Sequence, residues 1–104
     1  MLAYTVRGRF DDPAVGERWL GWLRDKHLKD VCDAGALRAE VVRLDGEPQT
    51  FEARYYFPSR EVFATYQAEH GPRLRAEGLE LFPTSLGIHY ERSLGPVEER
   101  FPSE

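Results

Sequence analysis

The chain has 104 residues and a mass of 12.0 kDa, which is the size of one compact domain. Hydrophobic residues make up 41% of it and charged residues 31%, a balance too apolar for a disordered chain and too charged for a membrane-embedded one. Its net charge of −4 argues against nucleic-acid binding, because phosphate neutralisation needs a basic surface. Without a membrane span or an apolar signal core, we expect a cytoplasmic protein with no membrane partner.

Apolar residues alternate with polar ones in four segments, and this period of two predicts strands at residues 2–10, 36–44, 51–57 and 86–92. Asp45-Gly46 separates the second strand from the third and indicates a hairpin turn.

Two helical segments separate these strands. Asp12 can cap the first helix and Pro13 suits its first position, and the helical spacing of apolar residues continues to about residue 33. Ser59 can cap the second helix, which Gly71-Pro72 interrupts before a short helix from Pro72 to about residue 78.

The order strand, helix, strand, strand, helix, strand predicts the α+β class and the ferredoxin-like βαββαβ fold. Right-handed crossovers place both helices on one face of a four-stranded antiparallel sheet. We assign residues 1–94 to this domain and residues 95–104 to a polar C-terminal tail. The face toward the helices takes an apolar set: Tyr4, Val6, Phe10, Leu37, Val41, Phe51, Tyr55, Phe57, Ile88 and Tyr90.

The other face of the sheet carries nearly balanced charges. By alternation it takes Thr5, Arg7, Arg9, Arg38, Glu40, Val42, Glu52, Arg54, Tyr56, His89 and Glu91. An antiparallel sheet commonly leaves such a face in contact with water. The alternative is that two sheets pack face to face, with ion pairs joining the two copies as a homodimer.

Several strings resemble a family of short bacterial proteins known as a domain of unknown function in the dimeric α+β barrel class. They lie between residues 2 and 93: Tyr4-Thr5-Val6, Trp19-Leu20-Gly21-Trp22-Leu23 with His27, Arg54-Tyr55-Tyr56, and YQAEHGPRLRAEG from Tyr66 to Gly78. The resemblance implies a homodimer whose sheets pack together. It implies no activity, because related families include monooxygenases, haem-degrading enzymes, isomerases and decarboxylases.

His27 and His70 are the best candidates for catalytic residues. Each falls on the inward stripe of its helix, and an imidazole suits proton transfer near neutral pH. A candidate pocket around them takes Trp19, Trp22, Tyr66 and Arg73, with the arginine as the anchor for an anionic substrate. The alternative is that both histidines are core or helix-end residues that hydrogen-bond to the backbone.

We expect no metal cofactor, because His27, His70 and His89 lie on three different elements and His89 points to the opposite sheet face. Two functional hypotheses follow. The first is a small dimeric protein that binds or transforms a small metabolite, anionic or aromatic in character. The second is a non-catalytic homodimeric structural or interaction module.

Overall fold

The computed structural model of the chain describes residues 1–103, and the elements follow the predicted order. The four strands are β1 (Leu2–Phe10), β2 (Arg38–Arg43), β3 (Gln49–Phe57) and β4 (Ile88–Pro96). The four α-helices are α1 (Pro13–Trp22), α2 (Leu28–Asp33), α3 (Arg60–Glu69) and α4 (Gly71–Leu81). None of these helices is long and apolar enough to cross a membrane.

The strands form one sheet in the order β2-β3-β1-β4, and each neighbouring pair is antiparallel. This topology confirms the predicted ferredoxin-like fold. Two of its helices begin at the predicted caps. Asp12 Oδ1 accepts a hydrogen bond from the Ala14 N–H at 2.9 Å, and Ser59 Oγ accepts one from the Val62 N–H at 3.2 Å. These side chains satisfy backbone donors that have no partner within the helix.

One face of the sheet is buried against the helices. Phe10, Phe51 and Phe57 are each at most 1% exposed, and Tyr55 is 2% exposed. Burial of one such side chain contributes about 1.5–3 kcal/mol, so these aromatic residues dominate the core. The helices contribute Val15, Trp19, Leu20, Leu23, Val31, Phe63, Tyr66 and Leu74.

The first helical segment is interrupted where the sequence predicts one continuous helix. Residues Leu23–His27 form a π-helical turn, in which the Leu28 N–H donates to the Leu23 carbonyl five residues earlier. The extra residue per turn changes the direction of every side chain that follows it. Single π-helical turns within α-helices occur frequently at functional sites.

The predicted ends of β2 and β4 need correction. Leu37 was expected in the core, but β2 begins at Arg38, and Leu37 is 59% exposed while Ala36 is buried. At the other edge, Leu86 lies in a 3₁₀ turn, and β4 runs from Ile88 to Pro96, where Pro96 pairs with Leu2. Local alternation missed both ends because pairing with a distant strand decides where a strand stops.

The outer face of the sheet has its own polar network. Glu52 accepts hydrogen bonds from Arg7 at 2.7 Å and from Arg54 at 2.8 Å, and only 8% of the residue is exposed. Tyr56 donates to Glu40 at 3.3 Å, and Arg38 lies 4.6 Å from the centre of the Tyr56 ring. The hydrogen bonds from Arg54 and Arg7 lower the pKa of Glu52, so Glu52 is a charged group within this network.

Candidate functional site

An open pocket lies between the inner face of the sheet and helices α1 and α4. The empty space within it and at its mouth amounts to about 550 Å³, part of which is open solvent. Concave sites lined mainly by apolar and aromatic groups are where proteins bind small molecules. The lining is Tyr4, Val6, Trp19, Trp22, Leu23, His27, Tyr55, Tyr66, Gly71, Leu74, Arg75, Gly78, Leu79, Tyr90 and Arg92.

His27 is the last residue of the π-helical turn, and it lines this pocket. Its ring stacks on the indole of Trp22, with the ring centres 4.2 Å apart and the planes 19° apart. The edge of the same ring meets Tyr55 of β3, with 6.3 Å between centres and 86° between planes. His27 is therefore held between a helix and the sheet, and its orientation is set by two aromatic neighbours.

Two polar ring atoms in the pocket wall are buried without a hydrogen-bond partner among the described residues: Trp22 Nε1 and His27 Nδ1. A buried polar atom without a partner costs about 1–3 kcal/mol. Such atoms are rare in folded proteins, and each one needs an explanation in structure or function. Here both belong to the same stacked pair.

Burial lowers the pKa of His27 to about 4, against 6.5 in water, although the nearby carboxylates of Asp30 and Glu77 act in the opposite direction. The imidazole is thus neutral at pH 7, with one nitrogen that accepts a hydrogen bond and one that donates. So weak a base is better suited to orienting a ligand than to removing its proton.

Tyrosine side chains also line the pocket. Burial raises the pKa of Tyr66 and that of Tyr90 to about 12, and it raises the pKa of Tyr55 further still. All three phenols therefore keep their protons at physiological pH. The Tyr90 hydroxyl already donates to the Phe82 carbonyl at 2.9 Å, which ties β4 to the end of α4.

Two arginines line the pocket. Arg75 belongs to α4 and Arg92 to β4. Within residues 1–103 neither one forms an ion pair with a carboxylate, and the Arg92 Nε–H donates to the Tyr4 hydroxyl at 3.2 Å.

The structure brings together four of the six residues that the sequence singled out: Trp19, Trp22, His27 and Tyr66 all line the pocket. The other two lie outside it. His70 ends α3, and its Nδ1 accepts a hydrogen bond from Arg73 Nη2 at 3.3 Å on the exposed side. The expected convergence of the two imidazoles is therefore absent.

The sequence analysis did not assign Arg75 and Arg92 to the pocket, although their positions in the helix and strand patterns point toward it. Residues two apart on a helix point about 200° apart, so Arg73 and Arg75 cannot face the same way. The inward positions of α4 are Gly71, Leu74 and Gly78, and Arg75 adjoins Leu74. Arg92 continues the alternation of Ile88 and Tyr90, but the predicted strand ended there.

No group of three or more His, Cys, Asp and Glu side chains in residues 1–103 is arranged to hold a metal ion. In the pocket itself, His27 is the one lining residue of these four types. Metal centres in proteins commonly use three or four such ligands. The wall itself offers aromatic rings, phenols, guanidinium groups and one imidazole.

The sequence profile of a family described as "Domain of unknown function (DUF4286)" matches residues 1–91. The chain belongs to this family. The match confirms the resemblance drawn from the motifs in the strands and helices. No curated protein matches the chain.

Solved structures share the fold over almost the whole chain. One is a dimeric ferredoxin-like protein from an uncultured marine organism, with a TM-score of 0.72, 15% identity and coverage of 95% of this chain and 96% of that one. HapK from Hahella chejuensis has a TM-score of 0.68, 16% identity and 100% coverage of both chains. A mutant of SnoaB, a cofactor-independent oxygenase from Streptomyces nogalater, has a TM-score of 0.57 and 15% identity, and covers 98% and 97%. At these identities the likeness establishes the fold alone.

Proposed function

We propose that this DUF4286 protein binds a small aromatic molecule in the pocket between its sheet and its helices, and that it does so as a homodimer. The observation that carries the proposal is the composition of the wall. Two indoles, four phenols and one imidazole surround a single open cavity. Aromatic side chains bind flat ligands well, because ring stacking adds to the gain from burial.

Binding is the activity that the site supports best, and chemical transformation of the ligand is a further step. Proteins that share this fold include SnoaB, which is a cofactor-independent oxygenase. In this chain the one histidine in the wall is His27, whose pKa of about 4 makes its imidazole a weak base. Oxygen consumption in the presence of a bound ligand separates an oxygenase from a binding protein.

The homodimer would form through the outer face of the sheet. That face already holds Glu52 nearly buried between Arg7 and Arg54, which are its partners from two strands. A solved relative of the fold is described as dimeric. Light scattering should give a particle of twice 12.0 kDa. A particle of the monomer mass at micromolar concentration would contradict the dimer and leave the pocket proposal intact.

The second candidate is a non-catalytic homodimeric module, and the hydrogen-bonded charge network on the outer face favours it. In that case His27 is a packing residue, and the protein responds to no small molecule. The cytoplasmic location expected from the sequence stays a prediction under both candidates.

A thermal-shift screen against a library of aromatic metabolites tests the proposed function. A ligand at 100 times its Kd raises the free energy of unfolding by about 2.7 kcal/mol. We expect hits for the wild type and His70→Ala, and loss of the hits for Tyr66→Ala and His27→Ala. No hit for the wild type, together with a loss of several kcal/mol in His27→Ala, would favour the structural module.

A further inference from the structure

Two side chains of the pocket wall, Arg75 and Arg92, can only donate hydrogen bonds, whereas the four phenols and the neutral His27 imidazole can both donate and accept. No Asp, Glu, Asn or Gln side chain is among the lining residues. A ligand that satisfies these donors must therefore bring acceptor atoms of its own.

The two guanidinium groups also bring positive charge to the pocket wall. Arg92 uses its Nε–H on Tyr4, which orients the side chain and leaves both terminal nitrogens with no hydrogen bond among residues 1–103. Arg75 faces the same cavity from α4. Both arginines are solvent-exposed, so an anion can reach them, and a guanidinium group binds a carboxylate through two parallel hydrogen bonds.

The stacked pair of Trp22 and His27 belongs to the same cavity and is apolar on its faces. Leu23, Leu74 and Val6 line the same cavity. By chemistry, the wall divides into a group of aromatic and aliphatic side chains and a pair of guanidinium groups.

From this division we infer that the pocket is selective for a flat aromatic carboxylate, with the ring beside Trp22 and His27 and the carboxylate on Arg75 and Arg92. The inference rests on the proposed function and adds the charge of the ligand to it. It also replaces Arg73, the anchor expected from the sequence, with two residues that the fold brings together.

Fluorescence of the two tryptophans provides the measurement, because both of them line the pocket. The purified protein is titrated with 2-naphthoate, with its neutral analogue 2-naphthalenemethanol and with cyclohexanecarboxylate, which keeps the charge and lacks the aromatic ring. Absorption by each probe is corrected with free tryptophan. We expect 2-naphthoate to bind at least about tenfold more tightly than 2-naphthalenemethanol, which lacks the charge-assisted hydrogen bonds to arginine, and than cyclohexanecarboxylate, which lacks the aromatic ring.

The variants Arg75→Gln and Arg92→Gln should each weaken 2-naphthoate binding by about tenfold or more. Arg73→Gln is the matched control, since it removes the same charge from α4 at a position outside the pocket. Arg92→Lys retains the charge without the planar fork and should lie between wild type and Arg92→Gln. Circular dichroism and the midpoint of thermal unfolding show whether each variant is folded.

Equal affinity for 2-naphthoate and 2-naphthalenemethanol would overturn the inference and support the proposed function in its broader form. Equal losses in Arg73→Gln and Arg75→Gln would also overturn the inference, because a general effect of charge would explain both. Absence of binding by all three probes would count against the inference, while hits in the metabolite screen would still support the proposed function.

Discussion

The ring of His27 stacks on Trp22 at 4.2 Å with an angle of 19° between the planes, and this contact joins the π-helical turn to the wall of the pocket. The stack buries His27 Nδ1 and Trp22 Nε1 without partners within the described chain. It also keeps the imidazole neutral, because burial disfavours the charged form. Stability and the proposed ligand binding therefore involve the same pair of rings.

The first prediction concerns stability at acidic pH. The unfolded chain takes up a proton on His27 near pH 6.5, whereas the folded chain does so only near pH 4. Because the unfolded state binds more protons in this interval, the free energy of unfolding falls as the pH is lowered through it. The loss from His27 alone should approach roughly 3 kcal/mol at pH 4. Urea unfolding at pH 7 and pH 4.5 measures it.

His27→Phe is the matched variant for that experiment, since it retains an aromatic ring that does not titrate. We expect the wild type to lose more stability than His27→Phe between the two pH values. An equal loss would mean that His27 titrates alike in the folded and unfolded chains, and that carboxylates account for the acid sensitivity.

The second prediction compares two helical glycines. A Cβ added at Gly78 would lie 3.1 Å from Trp22 Cη2, whereas one added at Gly21 meets nothing within 4 Å. Replacement of glycine by alanine in a helix is worth about 0.5–1 kcal/mol. We expect Gly21→Ala to show this gain, and Gly78→Ala to show less of it because Trp22 must move. Thermal unfolding measures the stability of both variants.

The same variants affect the pocket differently. Displacement of Trp22 should shift the tryptophan emission spectrum and weaken 2-naphthoate binding in Gly78→Ala, and Gly21→Ala should leave both unchanged. Identical spectra and affinities in the two variants would show that the contact between Gly78 and Trp22 does not shape the site.

The third prediction concerns the outer face of the sheet. Glu52 is the nearly buried carboxylate shared by Arg7 and Arg54, so Glu52→Gln leaves two like charges without the anion between them. We expect the Kd of the dimer to rise by about tenfold or more, since loss of one member of a buried charge pair is costly at an interface. Sedimentation equilibrium over a range of concentrations measures this constant.

Glu91→Gln is the control, because Glu91 lies on the same face but is exposed. The pH dependence gives a second check. The pKa of Glu52 is held below its ordinary value of 4.5, so its contribution is present above that pH and is lost as the pH falls below it. A dimer equally weakened by both substitutions would point to net charge rather than to the network.

The fourth prediction concerns the cap of α3, which positions Tyr66 in the pocket. Ser59 Oγ accepts the Val62 N–H at 3.2 Å, and its loss in Ser59→Ala should cost about 1 kcal/mol. Ser59→Asp restores an acceptor and should recover most of that loss. Urea denaturation measures both variants, and an unchanged midpoint in Ser59→Ala would show that the cap contributes nothing to stability.

The order of the elements and the faces that most of them bury follow from the sequence alone. Alternation in Phe51, Tyr55 and Phe57 and helical spacing in Trp19 and Leu23 are local patterns, and local patterns survive without knowledge of the fold. The caps at Asp12 and Ser59 depend on a few neighbouring residues, and both are confirmed. For the same reason, four members of the predicted site lie together.

Where the charges meet depends on the tertiary fold. Arg75 and Arg92 are 17 positions apart in the sequence and reach one cavity because α4 and β4 both border it, with β4 paired along β1. The π-helical turn at Leu23–His27 was not predicted from the sequence, since a single added residue per turn is set by packing rather than by propensity. Local patterns leave several arrangements of a chain possible, and contacts between distant segments select one of them. In this protein those contacts place Arg75 and Arg92 at the same pocket.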